Sequence, residues 1–290
     1  MESTVESMLR GFLAEDIGYG DITTDALVEH GIQATGYVVC KETGVIAGIR
    51  EAKILLQIVD CKTTRTVRDG EIVKPGARIL YTNGPAHNLL KVERVLLNLL
   101  SHMSGVATAT QELVRLAEKS ERHVRIACTR KTLPGLRYFE KRAVELGGGD
   151  THRLRLDDMV LIKDNHLVIA GTIEKAVKRA RSKVSFTKKI DVEVTSPNQA
   201  LEAAKAGADI VLLDNMQPDR ILETIRLLRT KQLRDRVILE ASGGITKENI
   251  ASYLKTGIDI ISVGKITNSA RNIDMSFELQ PVVKAKAALA

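Results

Sequence analysis

The sequence predicts an α/β protein with parallel strands that form a closed or nearly closed barrel. From about Asp191 onward, apolar segments typical of strands alternate with segments of helical periodicity: DVEV, PNQALEAAKAG, ADIVLLD, PDRILETIRLLRT, RVILEAS, TKENIASYLKTG and IDIISVG. Alternation at this spacing indicates parallel strands joined by crossover helices. The strand segments are almost continuously apolar, as expected when helices cover both faces of a sheet.

Two apolar stretches before residue 191 indicate earlier strands of the same sheet. The stretches His123 to Cys128 and Met159 to Lys163 are short and apolar, and Leu136 to Leu146 between them has the periodicity of a helix. We therefore expect the barrel to begin near residue 105.

The segment before the barrel has a different pattern. Residues 30–85 contain short apolar stretches separated by frequent glycines, which predicts a small α/β or mostly β domain. The stretch Asn88 to Leu116 has helical periodicity that is interrupted near Gly105, which predicts two helices. We assign residues 1–105 to this first domain and 106–269 to the barrel. The tail, 270–290, is weakly helical in pattern and is a candidate to return to the first domain.

The composition argues against several classes of protein. Of the 290 residues, 44% are hydrophobic, which is enough for a substantial core, and the absence of a long apolar run or basic leader argues against membrane insertion or export. The cysteines at 40, 61 and 128 form no CxxC pair, so we expect neither disulfides nor a zinc site, and a cytoplasmic location. The net charge of +7 makes nucleic-acid binding a rival interpretation, but 3% aromatic residues offer few stacking surfaces, so we expect neither a nucleic-acid partner nor a membrane partner. Small anionic substrates explain the charge equally well.

Basic side chains follow the early strands. Functional groups in parallel barrels lie where strands end, so these positions are candidates for a binding site. They are Thr129, Arg130, Lys131 and Lys163, with His152 and Arg153 from the segment GGGDTHR. Arginine forks hold carboxylates in bidentate fashion, so this cationic cluster suits a dicarboxylate ligand.

Glycines follow the later strands, in SGG (242–244) and VGK (263–265). Glycine allows the main chain to approach a ligand closely, and a helix expected from about Thr246 would present free N–H groups. This pattern predicts a site for a phosphate monoester. By itself it is weak, because barrels often turn through glycine.

Two acids lie between these halves. Glu193 belongs to DVEV and Asp214 ends DIVLLD, where they can engage a sugar, a magnesium ion or developing positive charge. A structural alternative is that both acids are ion-pair partners of the nearby cations. Taken together, the two halves and the acids describe ribosyl transfer to an aromatic acid. A general acid or base remains open among Lys131, Lys163 and His166.

Several long motifs resemble one known family. They are EDIGYGDITTD, GPAHNLLKVERVLLNLLSHMSGVAT, TRKTLPGLRYFEKRAVELGGGDTHRLRLDDMVLIKDNHL, DVEV, ADIVLLDNM, LEASGGI and IDIISVGKITNSA, which cover nearly the whole chain in the family's order. The chain thus resembles the quinolinate phosphoribosyltransferases, the carboxylating nicotinate-nucleotide pyrophosphorylases. Motifs of this length in a fixed order are far more specific than a lone glycine pattern.

The resemblance implies an N-terminal α/β sandwich domain and an incomplete α/β barrel. It implies a homodimer or higher homo-oligomer with shared sites, in which the neighbouring subunit supplies Arg94. It implies that quinolinate is held by Arg94, Arg130, Lys131, His152, Arg153 and Lys163, and the 5′-phosphate of phosphoribosyl pyrophosphate by Ser242, Gly243, Gly244, Val263 and Gly264. Glu193 and Asp214 would engage the ribose and the pyrophosphate that carries the cofactor Mg²⁺. The predicted catalytic residues are Glu193, Asp214, Lys131 and Lys163.

Two departures from the family pattern are visible. Thr151 stands where the family commonly has asparagine, and Lys265 stands where it commonly has a small residue. Lys265 adds a cation beside the predicted phosphate turn, where it either binds phosphate or faces solvent. Two alternatives within this fold stay open. One is a molybdenum-associated branch of the family, and the other is a phosphoribosyltransferase that acts on nicotinate itself.

Overall fold

A computed structural model describes residues 2–121 and 123–282, apart from the side chain of Glu2. The described chain forms two compact units, residues 2–108 with 271–282, and residues 109–270. Of the domains expected from the sequence, residue 1, residue 122 and residues 283–290 of the tail lie outside the described residues. In the part of the chain that is described, no helix combines the length and the apolar character needed to cross a membrane.

The first unit is built on a four-stranded antiparallel sheet with the order β12-β1-β5-β3. Its strands are β1 (Gln33–Cys40), β3 (Lys62–Thr66), β5 (Ala77–Pro85) and β12 (Met275–Pro281). A separate pair consists of β2 (Gly44–Val45) and β4 (Ile72–Val73). The chain after residue 271 therefore adds an edge strand to the sheet of the first unit. The helical pattern expected for the tail is therefore a wrong prediction over Met275–Pro281. This segment forms a strand because it pairs with β1.

Helices complete the first unit. They are α1 (Glu2–Ile17), α2 (Ile22–Leu27), α3 (Ile49–Ile58) and the beginning of α4 (Ala86–Glu118), whose last residues belong to the second unit. The α3 side chains Ala52, Leu55 and Leu56 are fully buried, as their spacing on one helical face requires. They contribute to the apolar core of this unit.

The expected break near Gly105 is wrong, because α4 is one continuous helix of 33 residues. A Cβ atom at Gly105 would lie 2.1 Å from the carbonyl oxygen of Arg271. The glycine is therefore required by the close approach of the chain at Arg271. Glycine inside a helical pattern is ambiguous in sequence, since close packing and helix termination both favour it.

The second unit contains a six-stranded parallel sheet with the order β6-β11-β10-β9-β8-β7. The strands are β6 (Arg125–Ala127), β7 (Val160–Ile162), β8 (Ile190–Val194), β9 (Ile210–Asp214), β10 (Ile238–Ser242) and β11 (Ile260–Ser262). Within the described residues the edge strands β6 and β7 do not pair with each other. The unit is thus an incomplete α/β barrel, and the predicted fold class is confirmed.

Helices follow the strands of this sheet, and those before β11 connect one strand to the next. They are α5 (Arg137–Leu146), α6 (Asp164–Ala170), α7 (Ile173–Lys183), α8 (Pro197–Ala206), α9 (Pro218–Thr230), α10 (Ile250–Leu254) and α11 (Lys265–Asn268), with a 3-10 turn at Arg234–Arg236. Local signals set their ends, as in α8, where Ser196 caps the first turn and Gly207 ends the helix at φ 89°.

The helix expected from Thr246 begins only at Ile250, so that prediction is wrong. The Oδ1 atom of Asn249 accepts the N–H of Thr246 at 2.8 Å, which closes residues 246–249 into a turn. The N–H groups after SGG are therefore arranged by this turn and not by a helix terminus.

Candidate active site

A cavity of about 470 Å³ lies at the carboxyl ends of the barrel strands. Parallel pairing sets this arrangement, because it brings the last residues of neighbouring strands to one edge, as with Ser242 beside Asp214. The cavity is lined by the predicted residues Thr129, Arg130, Lys131, His152, Arg153, Lys163, Glu193, Asp214, Ser242, Gly243 and Gly244, and also by Leu161, Leu212, Asn215 and Glu240. The two predicted halves and both acids therefore share one cavity.

A second cavity of about 260 Å³ adjoins the first one. The two have Lys131, Ser242, Gly243 and Gly244 in common, and the second adds the predicted residues Val263, Gly264 and Lys265. Lys131 reaches across Gly264 so closely that a Cβ atom there would lie 2.9 Å from the Lys131 Cδ. Lys131 therefore contributes to the walls of both cavities.

The glycine-lined end depends on a close approach of two turns. The N–H of Asn215 donates to the carbonyl of Ser242 at 2.8 Å, and a Cβ atom at Gly243 would lie 2.3 Å from the Asn215 Oδ1. Gly243 also has φ 92°, which side chains rarely tolerate. Glycine is therefore required at position 243 by sterics and by backbone conformation.

The acid-binding end of the cavity, which carries the cations, is built from the edge of β6 and the segment that follows α5. Asp150 forms a parallel bridge with Ala127, and its Oδ1 accepts the N–H of His152 at 2.7 Å. His152 has φ 53°, in the left-handed region. This backbone places His152 and the buried Arg153 on the cavity wall.

Two arginines face the same end of the cavity. Burial, and next the charge of Arg130, lower the pKa of Arg153. The buried Nε of Arg130 has no hydrogen-bond partner in the described part of the chain. Like charges held together with an unused donor constitute a site prepared for an anion, since a ligand carboxylate would satisfy the donor and relieve the repulsion.

The cations and acids of the cavity also contact each other directly. The Lys163 ammonium forms an ion pair with Glu193, whose side chain is 16% exposed. The Nδ1 of His166 accepts the N–H of Lys163 at 2.9 Å and caps α6, so His166 acts on the backbone beside Lys163. The ion pair with Lys163 therefore supports the alternative that Glu193 has a structural role.

Two buried acids, Glu240 and Asp191, lie close to the cavity residue His152. Glu240 is 1% exposed and contacts His152 Nε2 at 3.0 Å, and it also accepts a hydrogen bond from Ser262. Asp191 is fully buried, and burial, followed by the charge of Glu240, raises its pKa well above the usual value. Neither acid is among the site residues predicted from the sequence. Their signal was available, because alternate residues of a strand share a face, so Asp191 lies on the face of Glu193 and Glu240 on that of Ser242.

Two sets of side chains offer atoms that could bind a metal ion. Atoms of His152, Asp191 and Glu240 lie within 4.8 Å of one another. A proton shared between the two acids relieves their repulsion, in keeping with the raised pKa of Asp191. Glu193 and Asp214 are more accessible and present carboxylate oxygens, the atoms that Mg²⁺ prefers.

Arg94 lies elsewhere in the molecule. It is exposed on α4, in the part of that helix that belongs to the first unit. It does not line the barrel cavity that contains the other predicted residues.

The chain is similar to known proteins in family, in sequence and in structure. Residues 21–104 match the model of the N-terminal domain of quinolinate phosphoribosyl transferase, and residues 106–278 match that of its C-terminal domain. A probable nicotinate-nucleotide pyrophosphorylase [carboxylating] of Methanothermobacter thermautotrophicus is 49% identical, over 94% of this chain and 98% of the relative. The human nicotinate-nucleotide pyrophosphorylase [carboxylating] is 38% identical, over 95% and 92%. The solved structure of the nicotinate-nucleotide pyrophosphorylase from Francisella tularensis superposes with a TM-score of 0.89 at 38% identity, over 97% of each chain.

Proposed function

The chain belongs to the quinolinate phosphoribosyltransferase family, and we propose that its barrel cavity forms nicotinate mononucleotide, pyrophosphate and carbon dioxide from quinolinate and phosphoribosyl pyrophosphate. The chain is a pentosyltransferase of NAD biosynthesis. The observation that carries the assignment of the cavity is that cations, carboxylates and glycine turns line it in the order that this reaction needs.

The cationic end suits the two carboxylates of quinolinate. Arg130 offers an unused Nε–H, and Arg153 lies beside it with a pKa lowered by burial and by that neighbour. Each guanidinium can hold one carboxylate as a fork, with His152 and Lys163 contacting the remaining oxygens. A monocarboxylate would leave one of these two arginines without a partner, which favours quinolinate over nicotinate.

The glycine-lined end suits the 5′-phosphate. Gly243 and Gly244 have φ 92° and 64°, so consecutive N–H groups can point to one side, as in anion-binding turns. Gly264 and the Ser242 hydroxyl lie beside them in the second cavity. Lys265 lines the same cavity, and we assign it to the phosphate as an additional cation.

Glu193 and Asp214 are the residues that would hold Mg²⁺ together with the pyrophosphate. When bound, the ion neutralises charge that develops on the leaving pyrophosphate. The fit rests on two accessible carboxylates beside the cationic end, since Mg²⁺ keeps several waters and needs few protein ligands.

The reaction has two bond-breaking steps. The C1′–O bond breaks with its electron pair going to pyrophosphate, and the ring nitrogen donates its lone pair to C1′. Glu193 stabilises the positive charge on the ribose by its fixed negative charge, with Lys163 holding its carboxylate in place. The bond between ring C2 and its carboxylate then breaks, the pyridinium accepts the electron pair, and a proton replaces the carbon dioxide. Lys131 and Lys163 are the ammonium groups that can supply that proton.

We further propose that the functional form is a cytoplasmic homodimer. Arg94 is exposed on α4, and a guanidinium at that position can complete the acid-binding end of a neighbouring subunit. Arg94→Ala subunits mixed with subunits inactivated in the cavity, such as Glu193→Gln, test this. Recovered activity in the mixture is expected, and a mixture as inactive as its components would contradict a shared site.

The function is tested with purified protein, quinolinate, phosphoribosyl pyrophosphate and Mg²⁺. Nicotinate mononucleotide is expected to form with one carbon dioxide released per product. A parallel reaction with nicotinate discriminates the main alternative. Product from nicotinate without carbon dioxide, and none from quinolinate, would contradict the proposal.

A further inference from the structure

A buried lysine lies behind the acid-binding end of the cavity. Lys141 belongs to α5, is 2% exposed and does not line the cavity. Its ammonium donates to the carbonyl oxygens of Thr151 and, at 3.1 Å, of Arg153. These two carbonyls flank His152, so one cation holds the main chain on both sides of a residue in the cavity wall.

The surroundings of this ammonium are poor in compensating charge. Burial lowers the pKa of Lys141, and the largest opposing effect comes from the Cys128 side chain, with a smaller one from the charge of Asp150. Cys128 follows β6 and its thiol donates to the carbonyl of Thr151 at 3.4 Å. The lysine therefore ties α5 and the end of β6 to residues 151–153, using main-chain oxygens as its partners.

The tied segment needs such support. His152 has φ 53°, a conformation that costs a residue other than glycine free energy and persists only where the surroundings hold it. Asp150 holds its N–H from one side, and Lys141 holds the two neighbouring carbonyls from the other. In this conformation His152 reaches Glu240, and Arg153 lies beside Arg130.

We propose that Lys141 is a positioning residue for dicarboxylate recognition, which fixes the main chain of residues 151–153 so that His152 and Arg153 face the substrate acid. The proposal rests on the proposed function of the cavity. A role in stability alone is a weaker explanation, because a buried cation is costly to desolvate and an apolar side chain of similar length would fill the same space at no such cost.

The test replaces Lys141 by methionine, which keeps the length of the side chain and removes its donors and charge. The KM for quinolinate is expected to rise roughly ten- to a hundredfold, as for a small misplacement of binding groups, with the KM for phosphoribosyl pyrophosphate within about twofold of the wild type. Calorimetric titration of quinolinate onto the free protein should show the same loss of affinity. Lys141→Gln keeps an N–H donor, so its affinity for quinolinate should lie between those of the wild type and Lys141→Met. It carries the test if Lys141→Met does not fold.

Phe139→Leu is the matched control, because Phe139 lies on the same helix and is equally buried. It should lower the melting temperature and leave the ratio of the two KM values unchanged. Equal factors on both KM values in the Lys141 variants, or no change in either, would overturn the proposal. Wild-type protein in the same assay distinguishes a failure of the proposed function from a failure of the proposed role of Lys141. A wild type without quinolinate turnover would refute the function itself.

Discussion

A methyl group added at Gly264 should disturb the active site without unfolding the protein. Gly264 has φ −71° and ψ −30°, which alanine adopts without strain. The new Cβ would lie 2.9 Å from the Lys131 Cδ and 3.4 Å from the Thr129 Oγ1. Carbon atoms in contact prefer about 3.5–4.0 Å, so the lysine side chain must move by roughly 0.5–1 Å.

The movement falls on a predicted catalytic group. A displacement of about 1 Å in a positioned group can reduce turnover by on the order of a hundredfold. For Gly264→Ala we expect kcat/KM to fall roughly ten- to a hundredfold, equal to about 1.4–2.7 kcal/mol. The melting temperature should change little, because the flexible lysine can move and the backbone is unstrained. Steady-state kinetics with varied phosphoribosyl pyrophosphate, together with thermal unfolding, measure both quantities.

A double-mutant cycle tests whether the effect passes through Lys131. In a Lys131→Ala background the lysine is absent, so Gly264→Ala should then cost at most about twofold. If the free-energy costs of the two substitutions simply add, the methyl group acts on the phosphate turn itself and not through Lys131. That result would refute the reasoning about Lys131.

Three further outcomes are expected. Arg153→Ala should raise the quinolinate KM roughly ten- to a hundredfold, whereas Arg155→Ala, the removal of an exposed arginine nearby, should leave it unchanged; equal effects would contradict the assignment. Glu193→Gln should reduce kcat by about a hundredfold and KM by little, because its charge acts on the transition state; an intact kcat would leave Glu193 a structural ion-pair partner. Asp191→Asn should stabilise the protein increasingly as pH rises above about 4, since the raised pKa makes the wild-type fold retain a proton that the unfolded chain releases; a pH-independent difference in melting temperature would contradict that pKa.

The strand ends were predictable from the sequence because parallel pairing leaves little choice. Once β9 and β10 are recognised as neighbouring parallel strands, Asp214 and Ser242 must lie at the same edge. The residue types then indicated the chemistry, with cations at one end and glycines at the other. The placement of these side chains around one cavity follows from fold topology, which repeats of this length specify strongly.

Other features required tertiary information. The role of Gly105 depends on the carbonyl of Arg271, a contact that no local pattern contains. The acids Asp191 and Glu240 lie within apolar strands and not at strand ends, where the candidate residues were sought. Strand alternation nevertheless places them on the faces of Glu193 and Ser242, which line the cavity. Lys141 was hidden for a related reason, since the pattern of α5 cannot show that a lysine is oriented inward to main-chain oxygens.

The position of β12 has a consequence for the order in which the molecule is made. Tyr37 on β1 and Glu278 on β12 are hydrogen-bonded across 241 positions of sequence. Protein synthesis adds roughly 5–20 residues per second, so β1 waits for its partner on the order of tens of seconds after it leaves the ribosome. Residues 109–270 are contiguous and can fold during that interval. The unit encoded first is therefore the one whose sheet is finished last, and until then the edge of β1 is open to wrong strand pairing.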